Sequence, residues 1–146
     1  MQFAPNHKIV RVLDSTAAGT ASVAGSAINM TDYEGVVFIA QFGPITGGTP
    51  GIKAQGGQLA NGSDAADLAG TDTADNLPYP TSNQCVVLDV YRPEFPFITP
   101  VVTGATDAAI NSVIAILYGP RSKPTTNDPT TVAVTNAVVS PALGAA

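Results

Sequence analysis

The chain has 146 residues and a mass of 14.7 kDa, the length of one domain with a single hydrophobic core. Because only 12 % of the residues are charged while 45 % are hydrophobic, the composition excludes a disordered polymer and long amphipathic helices or coiled coils. The net charge of -5 is opposite to the basic surface that DNA- and RNA-binding domains use, so we expect no nucleic-acid partner.

The first half of the chain predicts several short strands, since segments rich in β-branched residues lie between Gly, Pro, Asn and Asp. In the first segment Lys8 and Arg11 break strict alternation, which favours a position at a sheet edge. The third segment is almost continuously apolar, so we expect it to be central and covered on both faces. The predicted strands are residues 7–13, 27–30 and 35–42, with a weaker one at 52–55.

Two glycine-rich pieces, residues 43–51 and 55–57, lie before and after this weaker strand. They have neither the Lys-Ser/Thr ending nor the strand-to-helix context of phosphate-binding loops. We therefore interpret both pieces as hairpin turns.

One short helix is predicted at residues 63–69, with Ser63 as the N-cap, Asp64 near the positive helix end and Gly70 as the stop. Residues 70–83 have no periodic apolar face and are rich in acids and amides, which predicts an exposed loop.

The second half predicts three further strands and a tail. Residues 112–118 form another nearly continuous apolar run, so this strand is also expected to be central and covered on both faces, by a second sheet or a neighbouring subunit. The sequence after Tyr118 is rich in Thr, Pro, Ala and Val and cannot form its own core. The predicted strands are residues 84–91, 97–103 and 112–118, with a weaker one at 131–134.

These elements predict an all-β fold, either a β-sandwich or a jelly-roll-like barrel, with one short helix and an extended C-terminal arm. Residues 1–119 are expected to form a β-rich core domain with a short N-terminal arm. Residues 120–146 are expected to form an extended tail, which is disordered alone or ordered by lying on a neighbouring subunit.

The sequence has few residues for catalysis or metal binding. His7 is the single histidine, and the single cysteine, Cys85, begins an apolar run and is expected to be buried and inert. Zinc sites and catalytic triads therefore cannot be assembled in the usual way, and we predict no enzyme activity, no cofactor and no metal. A cluster of four acids is expected to be a solvated loop, with a weak cation site as the alternative: Asp64, Asp67, Asp72 and Asp75.

An interaction surface is predicted around residues 91–97, which hold three of the nine aromatic residues and an arginine. Tyr and Arg are enriched in protein interfaces, and the prolines here favour an exposed, extended ribbon. The alternative is that the aromatic side chains turn inward at a strand bend. The candidate interface residues are Tyr91, Arg92, Phe95, Phe97, Arg121 and Lys123.

Four segments together resemble small structural proteins of tailed bacteriophages and prophages, the decoration or cement class of head proteins: residues 30–43, 59–71, 85–93 and 115–124. The resemblance implies a non-enzymatic protein on the outer face of the capsid, often a homotrimer at threefold positions, with the major capsid protein as its partner. It implies no catalytic residue. It also implies assembly in the host bacterial cytoplasm.

The N-terminal residues lack the pattern of a secretory signal, and the apolar runs are far shorter than the roughly 20 residues that cross a bilayer, so no membrane partner is expected. Two other functions fit a β-rich, weakly charged chain. One is a tail or head-tail connector component, which would form sixfold or twelvefold rings. The other is a carbohydrate-binding module using Tyr79, Tyr91, Phe95 and Phe97, although the chain has no Trp.

Overall fold

A computed structural model describes residues 2–75 and 78–138, in which two antiparallel β-sheets pack face to face. The four-stranded sheet has the order β1-β9-β4-β7, and the five-stranded sheet has the order β2-β8-β5-β6, with β3 also paired to β8. The strands are β1 (Lys8–Leu13), β2 (Ser22–Ala24), β3 (Ile28–Asn29), β4 (Gly35–Ile45), β5 (Gly51–Gly57), β6 (Ala66–Asp67), β7 (Cys85–Tyr91), β8 (Phe97–Thr103) and β9 (Ala108–Tyr118). The predicted all-β sandwich is confirmed, and neither sheet closes into a barrel within the described residues.

The core lies between the two sheets and is built from alternate residues of the central strands. β4 and β9, whose apolar sequences predicted central positions, are central and pair with each other through most of their length. Side chains that are at most 2 % exposed interdigitate there: Val36, Phe38, Phe42, Ile110, Val113 and Leu117 from the four-stranded sheet, and Ile52, Ile98 and Val102 from the five-stranded sheet. Burial of this apolar surface is the main force that holds the sheets together.

The outer face of the four-stranded sheet is covered less than expected. Val37 pairs with Ile116 and Ile39 with Ile114, and all four side chains are half-buried rather than buried. The second sheet packs on the inner face alone, so it does not cover this outer face, and cover by a neighbouring subunit stays a prediction. The result is a surface of branched apolar side chains.

Most predicted strands are confirmed with small changes at their ends. The predicted segments 7–13, 84–91 and 97–103 match β1, β7 and β8, and 52–55 lies within β5. The weak strand at 131–134 is wrong: the Asp128 carboxylate accepts a hydrogen bond from the Thr130 amide at 2.8 Å and turns the chain there.

The predicted helix at residues 63–69 is wrong. Asp64 does not stabilise a helix N-terminus. Its carboxylate instead accepts hydrogen bonds from the amides of Gln58 and Leu59, at 2.7 and 3.1 Å. The chain then forms the two-residue strand β6, which pairs with β5. Tertiary pairing outweighs the helix propensity of the alanines in this segment.

The predicted turn at residues 55–57 is also wrong, because these residues belong to β5. A Cβ on Gly56 would overlap the ring of Phe95, and one on Gly57 would lie 2.6 Å from the Asp64 carboxylate. The glycines thus mark close approach of neighbouring side chains rather than a turn. In the other glycine-rich piece, residues 43–51, β4 continues to Ile45, so only the residues between β4 and β5 form the turn.

Two predictions for the middle of the chain need correction. Thr71 and Thr73 are half-buried, and their hydroxyls accept hydrogen bonds from the Ala54 and Ile52 amides, so the start of the predicted exposed loop lies against β5. Residues 76 and 77 of that loop lie outside the described residues. Cys85 is exposed rather than buried, because it begins an edge strand with its side chain on the outer face.

The described part of the tail lies first along β1. The Ile9 amide donates to Asn127 Oδ1 at 2.8 Å, and the Thr125 hydroxyl donates to the His7 carbonyl at 2.8 Å. Residues 133–138 are exposed and form neither helix nor strand. None of the helices in the described part of the chain is long and apolar enough to cross a membrane.

Candidate interaction site

A cleft of about 620 Å³ opens at the end of the sandwich where β4 begins and β7 and β9 end. Three loop segments form its walls: residues 30–34, 92–96 and 119–121. Because neighbouring antiparallel strands enter and leave the sheet at this end, the fold brings these distant segments together. Arg92, Phe95 and Arg121 of the predicted interface line this cleft.

The rim of the cleft carries opposite charges, with Arg92 and Arg121 near Glu34 and Glu94. The backbone fixes both arginines: the Arg92 amide donates to the Glu34 carbonyl at 2.8 Å, and the Arg121 amide donates to the Asp32 carbonyl at 2.9 Å. Neither guanidinium has an ion-pair partner within the part of the chain that the structure describes. Both cations can therefore meet carboxylates on a partner.

Beside the cleft, Tyr118, Tyr91 and Arg92 form a ladder on the outer face of the four-stranded sheet. The two tyrosine rings are nearly parallel, with centroids 6.4 Å apart, and the Arg92 guanidinium lies 5.1 Å from the Tyr91 ring centroid. The Tyr118 hydroxyl donates a 2.7 Å hydrogen bond to Asp89. Burial and this hydrogen bond to a carboxylate raise the pKa of Tyr118, so the neutral phenol is retained.

The tyrosine ladder depends on Gly35, the first residue of β4. Gly35 lies between Tyr118 on β9 and Tyr91 on β7 in the register of the sheet. A Cβ at this position would overlap the Tyr118 ring, so only glycine lets that ring cross the strand toward Asp89. The turn that follows β9 contains Gly119 at φ +61°, and a Cβ at this position would overlap the Glu34 side chain.

The side chains on the floor of the cleft also belong to the hydrophobic core or pack against it. Phe95 is half-buried and packs over Gly56 against the hydrophobic core, which matches the inward-turned alternative for this residue. Met30 is buried, and Tyr33 packs against the core with its pKa raised by burial and by the charge of Asp32. An apolar floor with a charged rim is the usual organisation of a protein contact surface.

Two predicted interface residues lie elsewhere. Phe97 begins β8 opposite Asn29 and Gly57, on the five-stranded sheet, and does not line the cleft. Lys123 is exposed on the tail, two residues beyond Arg121. Tyr118 was not among the predicted interface residues, because only the strand register brings it beside Tyr91. The sequence signal for this contact is Gly35, the glycine at the start of the apolar run that forms β4.

The remaining candidates are held in local contacts. His7 stacks on Phe3, with ring centroids 4.1 Å apart. Asp67 accepts hydrogen bonds from Lys53 and Gln55, which lower the pKa of its carboxyl. Among the side chains that the structure describes, no group of three could hold a metal ion, and the side chain of Asp75 lies outside that set.

No protein-family model matches the chain, and no curated protein matches it.

Proposed function

We propose that this chain is a non-enzymatic structural protein of a virion, a decoration protein that binds the outer surface of the capsid shell. The main support for the proposal is the surface at the end of the sandwich where β4 begins and β7 and β9 end. There, Tyr91 and Arg92 of the ladder adjoin Arg121 and Phe95 of the cleft. The fold brings Arg121, which is distant in sequence, to the same end as the three neighbouring residues Tyr91, Arg92 and Phe95.

The chemistry of this end suits a protein partner. Tyr and Arg are the side chains that most often dominate binding energy, and the ladder holds both in fixed positions. Two arginines without ion pairs in the described chain favour a partner surface with exposed carboxylates. The major capsid protein is the partner that the resemblance implies.

The two arginines of the cleft support an orientation toward the shell. Arg92 and Arg121 are two of the six basic residues of the chain, and neither has an ion-pair partner within the described residues. We infer that this end of the sandwich faces the shell. The proposed location is the exterior of the virion, after assembly in the host cytoplasm.

Symmetry strengthens weak contacts in such a particle. A homotrimer, as the resemblance implies, would present three copies of the cleft and ladder, and simultaneous engagement raises the overall affinity without any new contact. A tail or connector component would instead assemble into sixfold or twelvefold rings, and a carbohydrate-binding module would bind glycans rather than shells. The mass of the purified oligomer distinguishes a trimer from a sixfold or twelvefold ring, and a glycan array tests for carbohydrate binding.

The test is sedimentation of the purified chain with expanded shells that lack it. We expect saturable binding to the exterior, and at least tenfold weaker binding for the double variant Arg92→Ala/Arg121→Ala. The matched control is Arg11→Ala, which removes an exposed cation on β1 that is paired with Asp14. No binding by the parent chain, or equal losses in the control and the double variant, would contradict the proposal.

A further inference from the structure

Strand β7 is an edge of the four-stranded sheet, and no described strand pairs with its outer side. Its outward-facing side chains include Val87 and Tyr91, each 57 % exposed and four residues apart. Asp89 lies between them on the same face. A seven-residue edge with exposed apolar side chains is a template for pairing with another strand.

The C-terminal segment has the complementary properties. Residues 129–138 carry no charge and are rich in Thr, Val and Ala, which favour strands or tolerate them. Val134 is 81 % exposed and Val138 is 55 % exposed, and these two residues are also four apart. The large exposed hydrophobics of the described chain number seven, and four of them belong to β7 and this segment.

We propose that residues 134–138 of one copy add to β7 of a second copy as an antiparallel strand. Antiparallel pairing is the arrangement throughout both sheets and sets residues directly opposite one another. The equal spacing then places Val134 opposite Tyr91 and Val138 opposite Val87. Main-chain hydrogen bonds supply the affinity in this kind of strand addition, and the side chains set the register.

The residue between the two valines fits the same register. Asn136 would lie opposite Asp89, whose carboxylate already accepts the Tyr118 hydroxyl. An amide donates well to a carboxylate, so this pair adds a polar contact between two apolar ones.

The geometry favours a second copy over the chain's own β7. Thr135 accepts a 2.9 Å hydrogen bond from Asn127, which is itself bonded to Ile9 of β1. β1 and β7 are the opposite edges of the sheet, three strand spacings or roughly 14 Å apart. A segment held at one edge of its own sheet is placed to reach the other edge of a neighbour, which is a head-to-tail contact between copies.

The pairing is tested without shells, so its failure is distinct from failure of the capsid proposal. In a Cys85→Ser background, a tagged Val87→Cys chain is mixed with an untagged Val138→Cys chain and treated with a short bismaleimide. A crosslink between tagged and untagged chains can form only between copies. The control replaces Val87→Cys with Leu59→Cys, at a turn residue that is 51 % exposed.

We expect at least fivefold more mixed dimer from the Val87→Cys mixture than from the Leu59→Cys control. The second pair in the same register, Tyr91→Cys with Val134→Cys, should crosslink as well. Mixed dimer no greater than the control for both pairs would overturn the proposal. An intramolecular crosslink in the double variant Val87→Cys/Val138→Cys, without mixed dimer, would overturn it too.

Discussion

The two edges of the four-stranded sheet differ in whether their outer backbone amides and carbonyls have hydrogen-bond partners. At β1, the Ile9 amide donates to Asn127, the Val12 carbonyl accepts from Ser26, and the His7 carbonyl accepts from Thr125. At β7, no described strand or tail segment pairs with the outer side. One edge is thus closed by the chain itself, whereas the other is not covered by any strand or tail segment of the described residues.

The difference is the reason why we propose β7 as the contact edge. Natural proteins cover or charge exposed edges to prevent unwanted pairing, and β1 has both Arg11 and a covering tail. β7 has neither cover nor a positive charge, and it leads directly into Tyr91, Arg92 and the cleft. An open edge that adjoins an aromatic and arginine surface is the expected form of an interface.

The largest effect on stability is expected at the start of β4. Gly35→Ala places a methyl group where the Tyr118 ring lies, so the ring must leave its position and lose both Asp89 and Tyr91. We expect a loss of about 2–3 kcal/mol, typical of overpacking combined with a lost hydrogen bond.

Urea unfolding measures this loss, and Gly47→Ala is the control because a Cβ there makes only ordinary contacts. Equal stability of the two variants would show that the ladder does not depend on Gly35.

Two deletions separate the roles of the tail. Removal of residues 123–146 takes away the side chains that cover β1, and at about 1 kcal/mol per hydrogen bond we expect a loss of about 2 kcal/mol. Removal of residues 129–146 leaves those bonds and should change stability by less than about 0.5 kcal/mol.

Both deletions should weaken association between copies and with particles. Thermal unfolding and light scattering measure the two properties. A large stability loss from the shorter deletion would mean that the distal tail belongs to the folded core.

The Tyr118 hydroxyl gives a smaller and pH-dependent effect. Tyr118→Phe keeps the ring but loses the hydrogen bond to Asp89, which should cost about 1 kcal/mol at pH 7. Because the folded-state pKa of Tyr118 is raised, this stabilisation is fully present below its unfolded pKa of about 10 and is lost as the pH rises through the folded value.

Urea unfolding of parent and variant between pH 7 and 12 measures the difference. The gap between them should narrow above pH 10, and a constant gap would assign the effect to packing.

The smallest change in stability is expected at the open edge. Val87→Lys places a charge on an exposed site, so the free energy of unfolding should change by less than about 0.5 kcal/mol. Association between copies should nevertheless fall, because a lysine blocks pairing at a strand edge. Analytical ultracentrifugation of the variant, with Leu59→Lys as the control, measures association. Unchanged association would indicate that β7 is not the contact.

The sequence predicted the strands well because apolar alternation and turn residues are local signals. The central position of β4 and β9 followed from their continuous apolar runs. The false helix at 63–69 arose because Asp64 and the alanines favour a helix locally, whereas the amides of Gln58 and Leu59 bind that carboxylate in the fold. The exposure of Cys85 depends on which strand lies at the edge, and that requires the sheet order.

The candidate site was predicted only in part, because local composition is visible in the sequence and contacts between distant strands are not. Residues 91–97 stood out through their composition, but their contact with Arg121 and Tyr118 depends on strands that are distant in sequence. Phe95 packs inward because Gly56 lies beneath it, which no local pattern indicates.

A cryo-electron microscopy reconstruction of particles that contain this chain tests the proposed capsid location. We expect density for the sandwich on the outer surface of the head, with Arg92 and Arg121 facing the shell and a neighbouring copy along β7. Density for the chain in a tail or connector ring, or its absence from the head surface, would contradict that location.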